Sequence, residues 1–549
     1  VSGKKPNLAR SAGVASAAIF LSRITGLVRE SVMSYLFGAG GSPVMDVFIM
    51  GFRIPNLTRD LFAEGALSSA FVPTFTKYLT TKGKDEARHL YNLVATAIML
   101  IVGAICLLGI LFAPQLVETM ASSYHKIPGK FELTVTLTRV MFPFLLLVAL
   151  AAQAMGVLNA CNLFGVPALS SVCFNVGSVV FGVILGKTVF GVEPILGMAW
   201  GVVIGGALQL GFQLPSLIRE GFRFAPAWDF SHPGLRTILR LMGPAILGNA
   251  SVQINVFVNS NFATGLTDAA GHAMNGPVTW LNNAFRFMQL PLGLFGVAIA
   301  SATLPSISRS AAANDLDEFR HTIRHALSLV MLLTIPSAAG LAVLGRSMIG
   351  VVYQHGRFQA SDTAETALAL SCYAVGLTGY SAVKILAPAF YALNDARTPM
   401  NVSLASVAVN FVTAYSMIHF LHMGPAGLAL STSIVALVNF GVLLMLLRLK
   451  IGGVEGRLLA LNFGKIALAA ALMAGVCWVL SASVHAWLGM GFRAKVADLL
   501  ASIPAGGAVF YGVCYWLKVP ELEDAEQAIA KPLLRRLGLI KKPHVKLAG

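Results

Sequence analysis

Apolar runs of twenty or more residues repeat along the whole chain, each closed by a short stretch of Gly, Pro, Asn or charge. A helix needs about 20 apolar residues to cross a hydrocarbon core some 30 Å thick. On that measure the pattern predicts about fourteen spans, near residues 8–37, 43–80, 86–119, 131–161, 165–190, 193–219, 236–265, 273–305, 317–345, 362–394, 398–421, 424–449, 458–486 and 494–517. The short alternating strands of a membrane β-barrel are not seen. The fold class expected is an all-α polytopic membrane protein with about 14 transmembrane helices, in two groups of six with two more at the C-terminal end.

The polar breaks set the organisation. With an inside N-terminus, inside loops and tails hold about 25 Lys and Arg against about 7 outside, the bias that orients spans. Lys77, Lys82, Lys84 and Arg88 crowd one inside loop, and Arg219, Arg223, Arg236 and Arg240 surround another. Both termini are therefore expected inside. The stretch EGFRFAPAWDFSHPGL (220–235) is the longest polar connection in the middle of the chain and divides the spans six and eight. The expected domains are an N-terminal lobe (1–220), a cytoplasmic linker (221–235), a C-terminal lobe (236–450), an appended pair of helices (451–517) and a cytoplasmic tail (518–549).

One segment echoes another. In FRIPNLTRDLFAEGALSSAFVP and FRFMQLPLGLFGVAIASATLP, Phe52-Arg53 matches Phe285-Arg286, Leu57 matches Leu290, Leu61-Phe62 matches Leu294-Phe295 and Ser68 matches Ser301. A Pro follows each, one residue out of register (Pro73, Pro305). The echo falls in the second span of each half with the same inferred orientation, which points to two parallel six-helix repeats.

Composition narrows the classes. The 549 residues are 56% hydrophobic and 12% charged, half the charge of a soluble domain at about 25%. Six cysteines stand singly in apolar segments, with no spacing for a disulfide framework or a zinc site. The formal charge of +16 is spread over loops without a nucleic-acid motif. Histidines such as His325, His355 and His419 are isolated, and paired His/Asp groups for loop catalysis are absent. No enzyme, metal, cofactor or nucleic-acid partner is expected, and no cleavable signal peptide is evident, since the first apolar run contains Arg23.

The charges inside the membrane carry the functional reading. The first two spans hold Arg23, Arg29, Glu30, Asp46, Arg53, Arg59, Asp60 and Glu64; Arg139, Arg286, Lys384 and Lys465 come later. A charge at the centre of a lipid-facing helix costs about 2.5–3.5 kcal/mol. Five such arginines would together cost more than about 10 kcal/mol, comparable to a whole protein's stability of roughly 5–15 kcal/mol. They must face protein or water. Asp46, Arg53, Asp60 and Glu64 fall within about 40° on one helical stripe. Ser22 and Arg29 share a face of the first span, as do Arg23 and Glu30. The 43–80 segment is too long for one straight span, so a bend is expected near Pro55 or Gly65.

Two readings stand for these charges: pairing among themselves to tie helices together, or lining a water-filled cavity. The cavity is favoured for Arg23, Arg29, Arg53 and Arg286. Asp60, Glu64 and Lys77 fit snorkelling equally well. Arg139 and Lys465 read as interface or packing residues, and Lys384, beside Pro388, fits either. Arginines outnumber carboxylates, so the expected ligand is anionic, a phosphate that a guanidinium can fork.

LSRITGLVRESVMSYLFGAG, FRIPNLTRDLFAEGALSSAFVP, MGPAILG and VKILAPAFYALNDARTP resemble the MurJ (MviN) family of lipid II flippases, within the multidrug/oligosaccharidyl-lipid/polysaccharide exporter superfamily. The resemblance runs from about residue 8 to 517. It implies a V-shaped pair of lobes around a central cavity, spans 13 and 14 as a groove for a lipid tail, and export of lipid-linked peptidoglycan precursor across the bacterial inner membrane, with cell-wall synthesis machinery as possible partners. It implies cavity roles for Ser22, Arg23, Arg29, Asp46, Arg59, Glu64 and Arg286, to which the stripe adds Arg53. Where some relatives carry an acidic residue before the second-lobe arginine, this chain has Phe285. Where some carry a carboxylate on span 7 as a cation ligand, it offers Asn255 and Asn259, leaving Asp395 as a weak coupling-ion candidate. A polysaccharide-lipid flippase or a cation-coupled drug antiporter of the same superfamily is the alternative. Trp478, Trp487 and Trp516 are expected near the interfaces of the two added spans.

Overall fold

The computed structural model describes residues 8–61, 67–191, 193–268 and 270–526. Helices follow one another in chain order: α1 (Leu8–Phe37), α2 (Val44–Arg59), α3 (Ser68–Thr81), α4 (Lys84–Leu111), α5 (Ala113–Ala121), α6 (Lys130–Met141), α7 (Pro143–Ala160), α8 (Gly165–Thr188), α9 (Pro194–Arg219) and α10 (Pro233–Thr264). They continue with α11 (Pro277–Pro291), α12 (Ala298–Ala312), α13 (Leu316–Val352), α14 (Ala360–Val375), α15 (Leu377–Ala392), α16 (Arg397–His419), α17 (Gly424–Ile451), α18 (Gly456–Leu488), α19 (Phe492–Trp516) and α20 (Leu522–Ala525). Among the described residues no strand forms beyond one isolated bridge, Thr267 to Ala273. Ten of the described helical runs are long and apolar enough to cross a membrane, and the α14–α15 pair, bent by 41° at Gly376, makes an eleventh.

The chain divides into two compact units, Val1–Trp280 with Tyr353–Asp362, and Leu281–Val352 with Thr363–Gly549. The first packs around Phe71, Phe75, Leu90, Val94, Leu145, Leu158, Leu217 and Phe222. The second packs around Phe319, Ile323, Leu327, Leu386, Phe390, Leu447 and Ile466. Leu107, Leu111, Trp200 and Leu500 lie exposed on their helices, as apolar side chains do where lipid is the solvent.

The repeated segments share a local irregularity. α2 continues as helix through Pro55, and the helix turns π-helical at Asp60 and Leu61, and again at Leu67. Gly65, the other expected hinge, lies outside the described residues. Between α11 and α12 the chain is π-helical over Leu292–Val297, which overlaps the α2–α3 irregularity when moved along by the spacing of the echo. Widened turns of this kind accommodate a change of direction without a free break.

Small residues bring α8 and α9 together. A Cβ at Gly186 would stand 2.7 Å from the Pro194 carbonyl oxygen, and one at Gly205 2.8 Å from the Phe174 carbonyl oxygen. This is close helix approach through glycine, as membrane bundles use in place of a hydrophobic driving force.

Two buried carboxylates clip α18 and α19 onto α13. At one end Asp498, wholly buried, accepts from Ser347 of α13, from Ser481 Oγ of α18 at 2.8 Å and from Ser502 Oγ at 2.9 Å. At the other, Glu521 accepts both carboxylate bonds from Asn462 Nδ2 at 3.1 Å and lies 3.9 Å from Arg324 of α13. Trp487 and Trp516 close α18 and α19 and are highly exposed, as interfacial anchors would be. Trp478 is also exposed and stands ten residues before Leu488.

Asp498→Ala would strand two buried hydroxyls, Ser347 and Ser502, and the half-buried Ser481 hydroxyl, and remove the carboxylate that joins them. We expect a loss of about 3–5 kcal/mol, against about 1 kcal/mol for Ser347→Ala, read as the order of thermal unfolding midpoints in detergent.

Candidate functional site

The helix pair α8–α9 sets the first part of the site. Asn175 of α8 donates through Nδ2 to the Ser22 carbonyl at 3.1 Å and to Thr25 Oγ1 at 3.3 Å, which fixes α1 against α8. The Arg29 guanidinium then lies 5.3 Å over the Phe174 ring and donates through Nη2 to Glu30 Oε1 at 2.8 Å. Glu30 is buried and Arg29 half-buried, whereas Arg23 is exposed and Ser22 half-buried. Glu30 thus meets Arg29 in the structure, where the seven-residue spacing had put it on the face of Arg23.

Asp46, in the first turn of α2, is 1% exposed, as is the Lys130 side chain facing it. Its carboxylate accepts from the Gly276 N–H at 2.8 Å, the Thr279 N–H at 2.9 Å and the Thr279 hydroxyl at 2.6 Å. Lys130 Nζ stands 3.6 Å from Asp46, donates to Asn275 Oδ1 at 2.8 Å and lies 4.3 Å over the Tyr124 ring. The first N–H groups of a helix have no partner inside it, so a carboxylate at the start of α11 satisfies them and meets the positive end of the helix dipole.

Asp362, in the first turn of α14, does the same nearby. It accepts from the Gly40 N–H at 2.8 Å, from Trp280 Nε1 at 3.0 Å and from the Gln359 N–H at 2.9 Å. Gly40 admits this approach because it has no side chain: a Cβ there would sit 2.9 Å from both Asp362 and the Trp280 ring.

Further along α2, Arg53 donates through Nη1 to Ser260 Oγ of α10 at 2.8 Å, next in sequence to Asn259. Asn255 and Asn259 are half-buried on α10. Arg59 grips Asp60 Oδ1 through Nε at 3.1 Å and Nη2 at 2.8 Å, and Asn56 Nδ2 reaches Asp60 Oδ2 at 3.5 Å. Glu64 lies outside the described residues. Arg286 is half-buried on α11, in the second unit. Asp395 lies in the turn between α15 and α16, 2.5 Å from Lys450 Nζ and 2.8 Å from Thr398 Oγ1. The Lys450 contact, then the Thr398 N–H and hydroxyl, hold its carboxyl down at about 2, so it is ionised throughout the physiological range. Among the described residues no group of three or more His, Cys, Asp or Glu is placed to hold a metal ion.

The family model for "Lipid II flippase MurJ" matches residues 33–497, a stretch that takes in α2 with its carboxylate and arginines. The chain belongs to the MurJ lipid II flippase family. It is 33% identical over 529 residues to a probable lipid II flippase MurJ of Vibrio cholerae, covering 95% of this chain and 98% of that protein. It is 34% identical over 446 residues to a lipid II flippase MurJ of Burkholderia cenocepacia, covering 80% and 84%. A solved structure of a lipid II flippase MurJ, in an inward closed conformation, superposes with a TM-score of 0.74 at 25% identity, over 92% of this chain and 99% of that one. An inward-facing multidrug resistance MATE family transporter of the MOP superfamily shares the fold alone, at 16% identity and a TM-score of 0.63, over 80% of this chain and 95% of that one.

Within this MurJ-family chain, Lys130, Asp362, Trp280 and Thr279 join the site without having been read from the sequence. One signal was available. Thr279 lies as far beyond Asp46 as Arg286 lies beyond Arg53, so the echo brings the carboxylate to its own counterpart position in the second repeat. Lys130 and Asp362 had no comparable pattern, each being a single charge beside a loop.

Removing Asp46 leaves Lys130 buried with Asn275 as its polar contact. Asp46→Ala should lower stability by about 3–5 kcal/mol, and Lys130→Met added to it should recover a large part. Thermal unfolding of the two variants in detergent measures the difference; equal loss in both would remove the pair from the account.

Proposed function

We propose that this protein is a flippase carrying lipid II, the undecaprenyl-pyrophosphate-linked peptidoglycan precursor, from the inner to the outer leaflet of the bacterial cytoplasmic membrane by alternating access, with both termini cytoplasmic. The match to the lipid II flippase model over residues 33–497 carries this reading. The relevant chemistry is binding and release, with no covalent step. The proposed substrate-binding set is Ser22, Arg23, Arg29, Arg53, Arg59, Glu64 and Arg286. Guanidinium groups suit the pyrophosphate because their planar forks match phosphate oxygens two at a time. Arg29 is pre-positioned for this by Phe174 and Glu30, so less side-chain freedom is lost on binding. Asp46 acts behind that set, its carboxylate turned to Lys130, Gly276 and Thr279. The lobe organisation proposed is two six-helix repeats, supported by the π-helical segment that both echo segments carry. The exposed apolar side chains of α18 and α19, among them Leu472, Val479, Leu500 and Ile503, suit a polyprenyl tail.

Arg29→Glu should abolish complementation of a flippase-depleted cell while protein level persists, and Arg29→Lys should rescue only in part. Depleted cells should accumulate lipid-linked precursor on the inner face. Full activity of Arg29→Glu would remove the arginine from its role, and precursor distribution unchanged by depletion would remove the cargo.

The driving force proposed is the membrane potential. A pyrophosphate carries about two negative charges, and each is worth about 2.3 kcal/mol per 100 mV in a cell negative inside. Asn255 and Asn259 are uncharged amides, and Asp395 is held ionised by Lys450. Collapsing the potential should therefore stop precursor exposure on the outer face, while removing a sodium gradient alone should leave it running. The opposite pair of results would overturn the proposal.

A further inference from the structure

The connection between α9 and α10 is not a free polar loop. Residues 222–229 carry no helix, yet Phe222 at their root is buried against Phe75 and Tyr91, with ring centroids 5.5 and 6.1 Å away. The strand-like stretch then climbs α4. The Ala225 N–H donates to Asn92 Oδ1 at 3.1 Å, Pro226 has no N–H, and the Ala227 N–H donates to Thr96 Oγ1 at 3.2 Å. It returns through a tight turn in which the Phe230 N–H bonds the Trp228 carbonyl at 3.0 Å and the Ser231 N–H bonds Asp229 Oδ1 at 3.1 Å. His232 then caps α10 and lies 3.2 Å from Glu86.

The depth follows from α4. His89 is the last acidic or basic side chain before the apolar run of α4, and Thr96 lies seven residues further on, about 10 Å at 1.5 Å per residue. Ala227 of the strap is thus carried about 10 Å past the last charged level of α4, the depth to which interfacial segments insert, and the Asp229 carboxylate of the return turn accepts from the Ser231 N–H and hydroxyl. Backbone donors in such a zone need partners other than water, which Asn92 and Thr96 supply. At that tip Phe224, Trp228 and Phe230 are 46%, 66% and 46% exposed, and Trp228 and Phe230 stand edge to face at 6.4 Å. Arg219, Arg223, Arg236 and Arg240 flank the strap and are exposed, complementary to anionic headgroups.

We propose that residues 222–231 form a membrane-interface anchor, with Phe224, Trp228 and Phe230 inserted at the headgroup–acyl boundary and the flanking arginines on anionic phospholipid headgroups. Under the orientation proposed above, this boundary belongs to the cytoplasmic leaflet; the insertion itself does not depend on that orientation.

The test compares the full chain with its Trp228→Phe variant in vesicles of phosphatidylethanolamine and phosphatidylglycerol at 3:1, the difference spectrum isolating Trp228. The expected signal is blue-shifted and quenched severalfold more by lipids brominated near the headgroup end of the acyl chain than by aqueous iodide. A Phe224→Ser/Phe230→Ser double variant should cut that lipid quenching at least twofold while its thermal unfolding stays unchanged, since both side chains are exposed. A water-like emission quenched by iodide would overturn the proposal. So would lipid quenching untouched in the double variant, or Trp228 shielded from lipid in native membranes by a protein neighbour.

Discussion

A charged or hydrogen-bonding group inside a bilayer must find its partners in the protein, because lipid provides none. In this chain that constraint turns four buried carboxylates, Asp46, Asp362, Asp498 and Glu521, into points where separate segments are held. Asp46 gathers Lys130 at the start of α6 and the N–H groups at the start of α11. Asp362 gathers the loop before α2 and the indole of Trp280. Asp498 and Glu521 join the C-terminal helix pair to α13. In water such contacts would be worth little; here the alternative for each group is an unsatisfied charge, so the pairing is strongly specified even where its net energy is small.

The same logic separates the arginines from the carboxylates. A carboxylate is compact and accepts from backbone N–H groups, so it can be consumed by a helix start. A guanidinium has five donors and no acceptor, and Arg29 meets the Glu30 carboxylate and lies over the Phe174 ring. The proposed anion binding draws on the excess of arginine over carboxylate on α1 and α2. Glycine contributes at one remove: the close approach of α8 and α9 places Phe174 and Asn175, and these place α1 with Arg29.

The sequence echo accounts for another layer. The echo of 52–73 in 285–305 extends from side chains to backbone, since both segments carry a π-helical stretch near the same register. A widened turn leaves a carbonyl displaced from the regular ladder and redirects the helix beyond it. That redirection is what an overlong span needs if both of its ends are to stay in contact with neighbouring helices.

Much of this was legible in the sequence because hydropathy is a local property: twenty apolar residues predict a span whatever surrounds them, and the cost of charge in lipid marked the charges of α1 and α2 as groups that need partners. The proposed sign of the ligand rests on counting those charges. The long-range choices were not legible. Nothing near Lys130 or Asp362 in the chain indicates that they lie beside Asn275 and Gly40, because those contacts depend on how helices far apart in sequence are packed. Pro55 reads as a break, yet helical assignment continues through it and the irregular turns come at Asp60 and Leu61. The 220–235 stretch reads as polar by composition, yet its backbone donors are taken up by Asn92 and Thr96 and its aromatic side chains are left outward. Sequence determined which residues could not face lipid; tertiary structure alone decided which partner each one met, because a partner is chosen by geometry across the fold and not by spacing along the chain.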